Sequence, residues 1–436
     1  MRRSIITAAA ISAAMLLAAC GGGGSGEEPT SEETTTEAPA DGETSEEPAV
    51  RGEGDLVIWA DAGKAPAVQE VANAYGEANG ITVTVQTIVN VRSDFITANQ
   101  AGNGPDMIVG AHDWMGQLVA NGSVDPLVIS ADQMSAYQEK AVAAATYDNQ
   151  LYALPYGMES LVLYCNNEFA QGPFDTLDAA IAAGQEAVDA GSVDSALNVP
   201  VGTTGDAYHM QPMFTSAGGY IFGYENGVWD PTDLGIATDG GIAAAEKIAS
   251  LGESGSGVLS TAIDGTNSIA LFNEGKAACL ISGPWALNDV RTALGDDGYT
   301  IQAIPGFEGM DPAEPFLGVN QFYVASNGAN KTFAQDFITS TAAGGLNTPE
   351  AMQTLYEISA QPPAMTEIAD QAKADDADMA AFLDAATAAQ PMPAIPAMDA
   401  VWGPLGQAYS SIVGGADPAE TMTTTSDAIA ETIASS

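Results

Sequence analysis

A regular alternation of strand and helix patterns after residue 54 constrains the fold of this chain more than any other feature. Residues 56–59 are a short apolar run that predicts a buried strand, and apolar residues at helical spacing over 68–75 predict a helix. Residues 81–85 alternate apolar and polar side chains, which indicates a second strand. A polar helical stretch over 94–101 then leads to a third strand at 106–109. This order of elements is typical of a parallel α/β sheet.

The carboxyl ends of these strands carry the first candidates for a binding surface. In open parallel sheets, ligands bind just beyond those ends. The loop at 60–64 contains Asp61 and Lys64, and the loop at 110–114 contains Asp113. We therefore expect these loops to lie close together and to face a ligand.

The N-terminus indicates export from the cytoplasm. Arg2 and Arg3 form a basic start, and the apolar run at 5–17 is too short to span a bilayer, which is typical of a signal peptide at residues 1–19. Leu-Ala-Ala-Cys at 17–20 resembles the bacterial lipobox, in which Cys20 is diacylated. Each buried methylene of the acyl chains contributes roughly 0.8 kcal/mol of membrane affinity. The alternative is an ordinary secretory signal with an incidental cysteine.

The segment that follows, residues 20–54, predicts a disordered acidic linker. It consists mainly of Gly, Ser, Thr, Pro and Glu and has no apolar periodicity. Such a segment cannot bury enough apolar surface to offset the entropy of ordering it. We interpret it as a spacer that holds a globular module near the outer face of the cytoplasmic membrane, with the lipid on Cys20 as the only membrane contact.

The charge balance excludes one class of partner. The chain has 57 acidic and 11 basic residues and a formal net charge of −46. Nucleic acid is excluded as a partner because no basic surface is present to neutralise its phosphates. A strongly acidic surface favours solubility at high salt, which indicates a saline habitat, and a calcium-loaded surface is the weaker alternative.

The cysteines and histidines predict neither a metal site nor a cofactor site. Cys165 and Cys279 lie outside any zinc-type spacing, and His112 and His209 are far apart in the sequence. In an oxidising compartment the two cysteines can form a disulfide. Two buried free thiols remain the alternative.

A set of segments beyond residue 54 carries a resemblance to a known family. They are Gly54-Asp55-Leu56-Val57-Ile58-Trp59, Asn103-Gly104-Pro105-Asp106-Met107-Ile108, Ala111-His112-Asp113, and the segments at 154–161, 218–227, 282–286, 315–319 and 391–396. Together they resemble maltose/maltodextrin-binding proteins, the substrate-binding subunits of carbohydrate ABC importers. The matching segments follow one another in the same order from about residue 55 to the C-terminus, which makes the set far more specific than any one of them.

The resemblance implies a two-lobed α/β fold of the periplasmic-binding-protein type. Each lobe is expected to be a mainly parallel sheet flanked by helices, with a hinge of several strands between the lobes. Lobe 1 is expected at 55–157 and about 320–370, and lobe 2 at 158–319 and about 371–436. The chain would cross near 156–161 and 316–321, and again between Gln361 and Asp378. Both cysteine strands match segments of one sheet in the family, which favours a disulfide.

The resemblance also implies a set of sugar-binding residues. Aromatic rings would cover the apolar faces of the sugar, and carboxylates would accept hydrogen bonds from its hydroxyls. Asp206 stands where the family has a glutamate, and Asp61 is expected to replace an aspartate whose own position is Gly63. The remaining residues match the family's contacts directly: Lys64, Ala111, Asp113, Glu159, Tyr208, Trp285 and Trp402.

This chain departs from the family at positions that normally carry bulky contacts. Gly110 and Gly403 replace a tryptophan and a tyrosine, and Gly406 replaces an arginine. These changes predict a wider or differently lined cleft. Trp114 stands in place of an arginine and is a further candidate for the cleft. Of the other aromatic and imidazole side chains, Trp59, Trp229 and His112 are assigned to structure.

These features predict a monomeric carrier that captures maltodextrin-type oligosaccharides by hinge closure and delivers them to the permease subunits of an ABC importer. No catalysis, metal or cofactor is expected. Two alternatives remain: a secreted glycoside hydrolase, suggested by the acidic and aromatic residues together, and a carbohydrate sensor on the same fold. Hydrolysis requires two carboxylates at a fixed separation, and no motif in the sequence pairs them.

Overall fold

A computed structural model describes residues 49–225 and 228–435. The predicted signal peptide, the predicted lipidation site at Cys20 and most of the predicted linker therefore lie outside the described residues. Among the residues that are described, no helix combines the length and the apolar character that crossing a membrane requires.

The described chain alternates strands and helices throughout. The strands are β1 (Leu56–Ala60), β2 (Val83–Thr87), β3 (Met107–Ala111), β4 (Val124–Asp125), β5 (Thr146–Tyr147), β6 (Gln150–Leu151), β7 (Ala153–Ser160), β8 (Val162–Asn166), β9 (Ser195–Asn198), β10 (Phe222–Glu225), β11 (Val228–Leu234), β12 (Ala277–Ser282), β13 (Tyr299–Ala303), β14 (Phe316–Ala325) and β15 (Gln390–Pro391).

The helices are α1 (Ala65–Asn79), α2 (Val91–Gln100), α3 (Met115–Ala120), α4 (Ala131–Met134), α5 (Glu139–Ala144), α6 (Leu177–Asp189), α7 (Ala207–Ser216), α8 (Asp239–Leu251), α9 (Ser268–Asn273), α10 (Leu287–Leu294), α11 (Lys331–Thr339), α12 (Pro349–Ser359), α13 (Thr366–Asp375), α14 (Ala377–Ala388), α15 (Trp402–Val413) and α16 (Pro418–Ser435). Short 3₁₀ turns occupy His112–Trp114, Pro284–Ala286 and Pro396–Ala400.

The first sheet confirms the strand and helix pattern predicted after residue 54. Its order is β15-β14-β3-β1-β2, and β4 and β7 also pair with β14. The β1 strand pairs in parallel with β2 and with β3, and β14 runs antiparallel to β3. Helices cover both faces, because β1 directs Leu56 and Ile58 into one apolar cluster and Val57 and Trp59 into another. Lobe 1 is built on this sheet.

Local sequence signals explain the first helix. Pro66 stands in the first turn of α1, where a backbone N–H would have no partner within the helix, so the N–H that proline lacks is not missed. Gly80 ends the helix in the left-handed region, with φ of 66°, which glycine adopts without steric cost. Val68, Val71 and Tyr75 face the core at the predicted helical spacing. The second helix begins at Val91, three residues before the predicted start.

Lobe 2 is built on a second sheet with the order β13-β8-β12-β9. Only β12 and β9 are parallel, whereas β8 runs antiparallel to both of its neighbours. The sheet is therefore mixed, and the expectation of a mainly parallel sheet does not hold in this lobe. The reason is that the chain passes directly from β7 into β8, without the crossover helix that joins parallel strands. Cys165 and Cys279 lie opposite each other on β8 and β12 and are joined by a disulfide, with Cα atoms 4.1 Å apart.

Three chain segments run side by side around β7, the strand of the first sheet that continues into β8 of the second. The β7 strand pairs with β14 along most of its length, from Ala153 opposite Tyr323 to Ser160 opposite Leu317. Residues 361–364 flank β7, where the Met158 amide donates to the Pro362 carbonyl at 2.7 Å. The crossings predicted from the resemblance involve these same parts of the chain, and they stay a prediction. The chain then continues through α13 into α14, which packs on β13 of the second sheet.

Candidate functional site

The loop after β1 places Asp61 and Lys64 at the edge of the first sheet. The Lys64 ammonium lies 2.6 Å from Asp61 Oδ2, and Asp61 Oδ1 accepts from the backbone amides of Gly63 and Lys64. Asp61 therefore also fixes the turn that begins α1. Both side chains are partly exposed, so their remaining hydrogen-bonding capacity faces solvent.

The 3₁₀ turn after β3 presents Asp113. Its side chain is nearly buried, with 9 % of the residue exposed. Burial raises the pKa of Asp113 to about 6, and repulsion from Glu159 and Asp399 adds to the shift, while the positive charge of Arg92 opposes it. Asp113 is thus a carboxylate in a largely dry site surrounded by other charged side chains.

Glu159 lies near the end of β7 and is held from both crossing segments. Its Oε2 accepts from Asn320 Nδ2 at 3.0 Å and from Gln361 Nε2 at 3.1 Å. Burial raises the pKa of Glu159, whereas the charge of Lys64 lowers it. This electrostatic coupling indicates that Glu159 lies near the loop after β1.

On lobe 2, the N-terminus of α7 carries Asp206. Its Oδ1 caps the helix by accepting from the His209 amide at 2.9 Å, and its Oδ2 lies 2.7 Å from His209 Nδ1. Burial raises the pKa of Asp206, but the hydrogen bonds and charge of His209 outweigh that effect and lower it overall. Each carboxylate oxygen retains a further lone pair for a ligand hydroxyl.

Tyr208 lies at the centre of the predicted site. Its ring stacks on Phe316 at 6.2 Å between centroids and lies 6.3 Å from the Trp285 ring. Within the described part of the chain, its buried hydroxyl has no hydrogen-bond partner. Burial, together with the charges of Glu159 and Asp113, raises the pKa of Tyr208 well above its usual value. The hydroxyl therefore stays protonated and lies near the carboxylates of Glu159 and Asp113.

Trp285 and Trp402 supply aromatic faces from lobe 2. Trp285 follows β12 in the turn Pro284–Ala286 and is 41 % exposed, which is unusual for tryptophan in a folded domain. Trp402 begins α15 and packs edge-on against Phe316, with ring centroids 5.6 Å apart. Phe316 therefore connects Trp402 to Tyr208, and the three predicted aromatic residues lie in one cluster.

Ala111, the remaining predicted contact, ends β3. Its carbonyl accepts from the Tyr323 hydroxyl at 2.9 Å, and its half-buried side chain packs against the lobe 2 core. His112 beside it accepts from the Val319 amide at Nδ1, so Nε2 donates to the Met392 carbonyl at 3.2 Å. Burial lowers the pKa of His112 to about 4. Its structural assignment agrees with these contacts.

The three glycines that depart from the family pattern have three different environments. A Cβ atom on Gly110 would lie 1.9 Å from the Trp114 ring, so the Trp114 indole occupies the space beside Gly110. Gly406 lies against the backbone of Gly205, where a Cβ atom would fit tightly, 3.2 Å from the Gly205 carbonyl carbon. Of the three, only Gly403 borders open space. The wider or differently lined cleft stays a prediction, and Gly403 is the position that offers it most room.

Sequence reasoning missed several residues that contact the predicted ones. Arg92 Nη2 lies 2.7 Å from Asp399 Oδ1, and the charges of both side chains affect the pKa of Asp113. No sequence motif marks Arg92, and its contact with Asp399 depends on where α2 lies in the folded protein. The other missed residues orient predicted ones: Asn320, Gln361, His209 and Phe316.

Over the described residues, no group of three or more His, Cys, Asp or Glu side chains is arranged to hold a metal ion. The chemistry of the site is instead that of carboxylates, hydroxyls and aromatic faces. Such a set can accept hydrogen bonds from many hydroxyl groups and cover apolar ring faces.

Comparison with known proteins gives a consistent result. A family model described as bacterial extracellular solute-binding protein matches residues 70–381. The chain is 27 % identical to a galactooligosaccharide-binding protein of Bacillus subtilis over 383 residues, covering 84 % of this chain and 87 % of that protein. It is 26 % identical to a maltooligosaccharide ABC transporter solute-binding lipoprotein of Streptococcus pneumoniae over 387 residues, covering 87 % and 89 %. A maltotriose-binding protein of Pyrococcus abyssi is 25 % identical over 374 residues, covering 83 % and 78 %.

Proposed function

The chain belongs to the family of bacterial extracellular solute-binding proteins, and from this membership we propose that it is the oligosaccharide-binding subunit of an ABC importer. The ligand class we propose is neutral maltodextrin-type oligosaccharide. The proposal rests on one observation above all: the Tyr208 ring lies near Trp285 and Phe316, and the charges of Asp113 and Glu159 are near enough to raise the pKa of its hydroxyl.

This convergence fits the chemistry of a sugar. The pyranose ring has apolar C–H faces, which Trp285 and Trp402 are suited to cover. It also has a rim of hydroxyls, which can donate hydrogen bonds to Asp113 and Glu159. Supporting residues hold several of these groups in place, including Asn320 and Gln361 on Glu159. A site supported in this way loses little entropy when a ligand binds.

The carboxylates favour binding over hydrolysis. A glycosidase needs one protonated and one ionised carboxyl group across the scissile bond. Burial raises the pKa of both Asp113 and Glu159, so their environments do not separate into an acid and a base. Incubation with maltotriose followed by glucose assay tests the point, and steady release of glucose would favour the hydrolase.

We propose that the lobes are those of the sequence prediction, lobe 1 from 55–157 and about 320–370 and lobe 2 from 158–319 and about 371–436. The side-by-side segments around Met158, Asn320 and Pro362 would act as the hinge. Hinge closure around the ligand is a common mode of domain motion. The importer would then bind the closed, loaded protein in preference to the open one. A lipid on Cys20 would keep the monomeric carrier at the membrane.

The names of the relatives divide the choice of ligand between two sugar classes. Two of the three relatives named above bind maltooligosaccharides or maltotriose, and one binds galactooligosaccharides. The first experiment is therefore a thermal-shift panel of maltose, maltotriose, longer maltodextrins, galactooligosaccharides, sucrose and trehalose. A ligand present at 100 times its Kd should add about 2.7 kcal/mol to the unfolding free energy. A response to galactooligosaccharides alone would overturn the maltodextrin assignment.

A pair of tryptophan variants tests the location of the site. Trp402→Ala should weaken binding by about 2 kcal/mol or more, as for other aromatic hot spots, with little loss of fold stability. Trp59→Ala is the matched control, since Trp59 is fully buried and donates to Gln86 at 2.8 Å. That change should lower the unfolding free energy by about 3–5 kcal/mol through cavity formation. If Trp402→Ala binds the best sugar as well as the wild type does, the site lies elsewhere.

A further inference from the structure

An ion pair joins the two lobes beside the proposed sugar site. Arg92 Nη2 lies 2.7 Å from Asp399 Oδ1. Arg92 stands in the first turn of α2, whose Val91 and Phe95 belong to an apolar cluster of lobe 1. Asp399 stands in the turn Pro396–Ala400, next to Met398 of the lobe 2 core. The two charges are therefore carried by separate packed bodies.

The segment of lobe 2 that carries Asp399 makes further contacts with lobe 1. The buried Met392 carbonyl accepts from His112 at 3.2 Å. Farther along the same segment, the backbone of Gly116 packs against Ala394 and Pro396, since a Cβ there would approach the Ala394 carbonyl to 2.5 Å. Asp399 follows, with its side chain 45 % exposed, so the ion pair is more open to solvent than the buried bond of His112.

The surroundings of Asp399 support a bridging role. Gln117 Nε2, on α3 of lobe 1, lies 3.4 Å from Asp399 Oδ2. The pKa of Asp113 is lowered by the charge of Arg92 and raised by that of Asp399, after the larger effect of burial. Two lobe 1 side chains thus approach one lobe 2 carboxylate next to the proposed sugar-binding carboxylate.

We propose that Arg92 and Asp399 form a clasp that favours the closed arrangement of the lobes and thereby raises sugar affinity. Neither residue needs to contact the ligand, so both are positioning residues. The expected effect of the clasp on sugar affinity rests on the proposed function. The effect on lobe closure is independent of any sugar, because it follows from the attraction between two opposite charges on two bodies.

Charge variants of the full chain test the clasp. The set is Arg92→Ala, Asp399→Ala and the exchange Arg92→Asp with Asp399→Arg. The control is Lys331→Ala, which removes a pair of similar exposure within lobe 1, Lys331 with Asp125 at 2.6 Å. Two readouts are needed: the Kd for the best sugar by calorimetry, and the distance between spin labels on the two lobes in sugar-free protein.

Each alanine variant should raise Kd about two- to fivefold at low salt, the range measured for partly exposed ion pairs. The effect should vanish at 1 M salt, where the screening length is only about 3 Å. The label distance should lengthen in both alanine variants, and the charge exchange should restore both readouts. The control should change neither.

Unchanged label distances in both alanine variants would overturn the clasp, as would an equal change in the control. Failure of the charge exchange to restore the distance would also overturn it. If the wild type binds no sugar in the panel, the proposed function fails, while the distances in sugar-free protein still decide the clasp.

Discussion

Removal of one hydroxyl, Tyr208→Phe, separates a ligand-binding role from a structural one. The Tyr208 hydroxyl is buried, and none of the described residues is its hydrogen-bond partner. A buried polar group without a partner costs free energy in the folded state, so deleting it is neutral or slightly stabilising. We therefore expect the unfolding free energy of Tyr208→Phe to equal or exceed that of the wild type.

Sugar affinity should change in the opposite direction. The hydroxyl lies close enough to Asp113 and Glu159 for their charges to raise the pKa of Tyr208, and in the proposed site we expect it to form a hydrogen bond with a sugar hydroxyl. Losing that hydrogen bond and leaving the ligand hydroxyl unpaired costs about 1–3 kcal/mol. At about 1.4 kcal/mol per tenfold, Kd should rise roughly 5- to 150-fold.

Two other tyrosines provide matched controls for the same chemical change. Tyr409, on α15, is fully buried and also has a hydroxyl without a partner among the described residues, so Tyr409→Phe should alter neither stability nor Kd. The Tyr164 hydroxyl donates to the Gly283 carbonyl at 2.9 Å, so Tyr164→Phe should cost about 1–3 kcal/mol of stability by leaving that buried carbonyl unpaired.

Isothermal titration calorimetry and denaturant unfolding on the three variants give all the values needed. Wild-type affinity in Tyr208→Phe would refute the placement of this hydroxyl in the site. A large loss of stability in that variant would show that the hydroxyl is structural.

Three further predictions concern other groups. Burial raises the pKa of Asp113 to about 6. Between about pH 4 and 6 the folded protein therefore holds more protons at this group than the unfolded chain does. The contribution of Asp113 to the free energy of unfolding accordingly falls as pH rises through 6. Sugar affinity should rise between about pH 5 and 7, because the ionised carboxylate accepts hydrogen bonds from sugar hydroxyls. In a calorimetric pH series the affinity should rise less in Asp113→Asn than in the wild type, and an equal rise in both proteins counts against a sugar contact by Asp113. Peptide mapping of unreduced protein should recover Cys165 and Cys279 as one linked species, and separately alkylated peptides would contradict the bridge. Gly110→Ala should cost about 1–3 kcal/mol by displacing the Trp114 indole, and this cost should disappear in a Trp114→Ala background when both are measured by denaturant unfolding; an equal cost in both backgrounds would exclude the clash.

Much of lobe 1 could be predicted because its signals are local. The apolar run at 56–59 and the helical spacing up to Tyr75 specify elements whose length and period leave few alternatives. The direction of β8 could not be predicted from such patterns. Its apolar run fits a parallel or an antiparallel strand equally well, and only the direct continuation from β7 into β8 settles it.

The candidate site shows the same division between local and long-range information. Motifs at strand ends identified Asp113 and Trp285, since the loop chemistry is visible in the sequence itself. Arg92 and Phe316 were missed because each becomes relevant only through a partner more than 80 residues away, Asp399 for Arg92 and Trp402 for Phe316. Gly406 shows the same limit, since its close approach to the backbone of Gly205, far earlier in the chain, is not visible in the sequence.

The distribution of basic residues gives a last prediction, that the site selects neutral sugars over anionic ones. Within the described residues, every lysine and arginine except Lys140 forms an ion pair with a carboxylate, and Lys140 instead donates to carbonyls at the end of α14. An anionic sugar entering the site would face Asp113 and Glu159 without a free cation to compensate, and like-charge contacts cost several kcal/mol. A neutral sugar instead donates its hydroxyls to the same carboxylates. Oligosaccharides that carry a phosphate or a uronic acid should therefore bind at least about tenfold more weakly than neutral ones of equal length, which is about 1.4 kcal/mol. Competition calorimetry against the best neutral ligand measures the difference, and equal affinity would show that a cation in the site is released from its carboxylate when ligand binds.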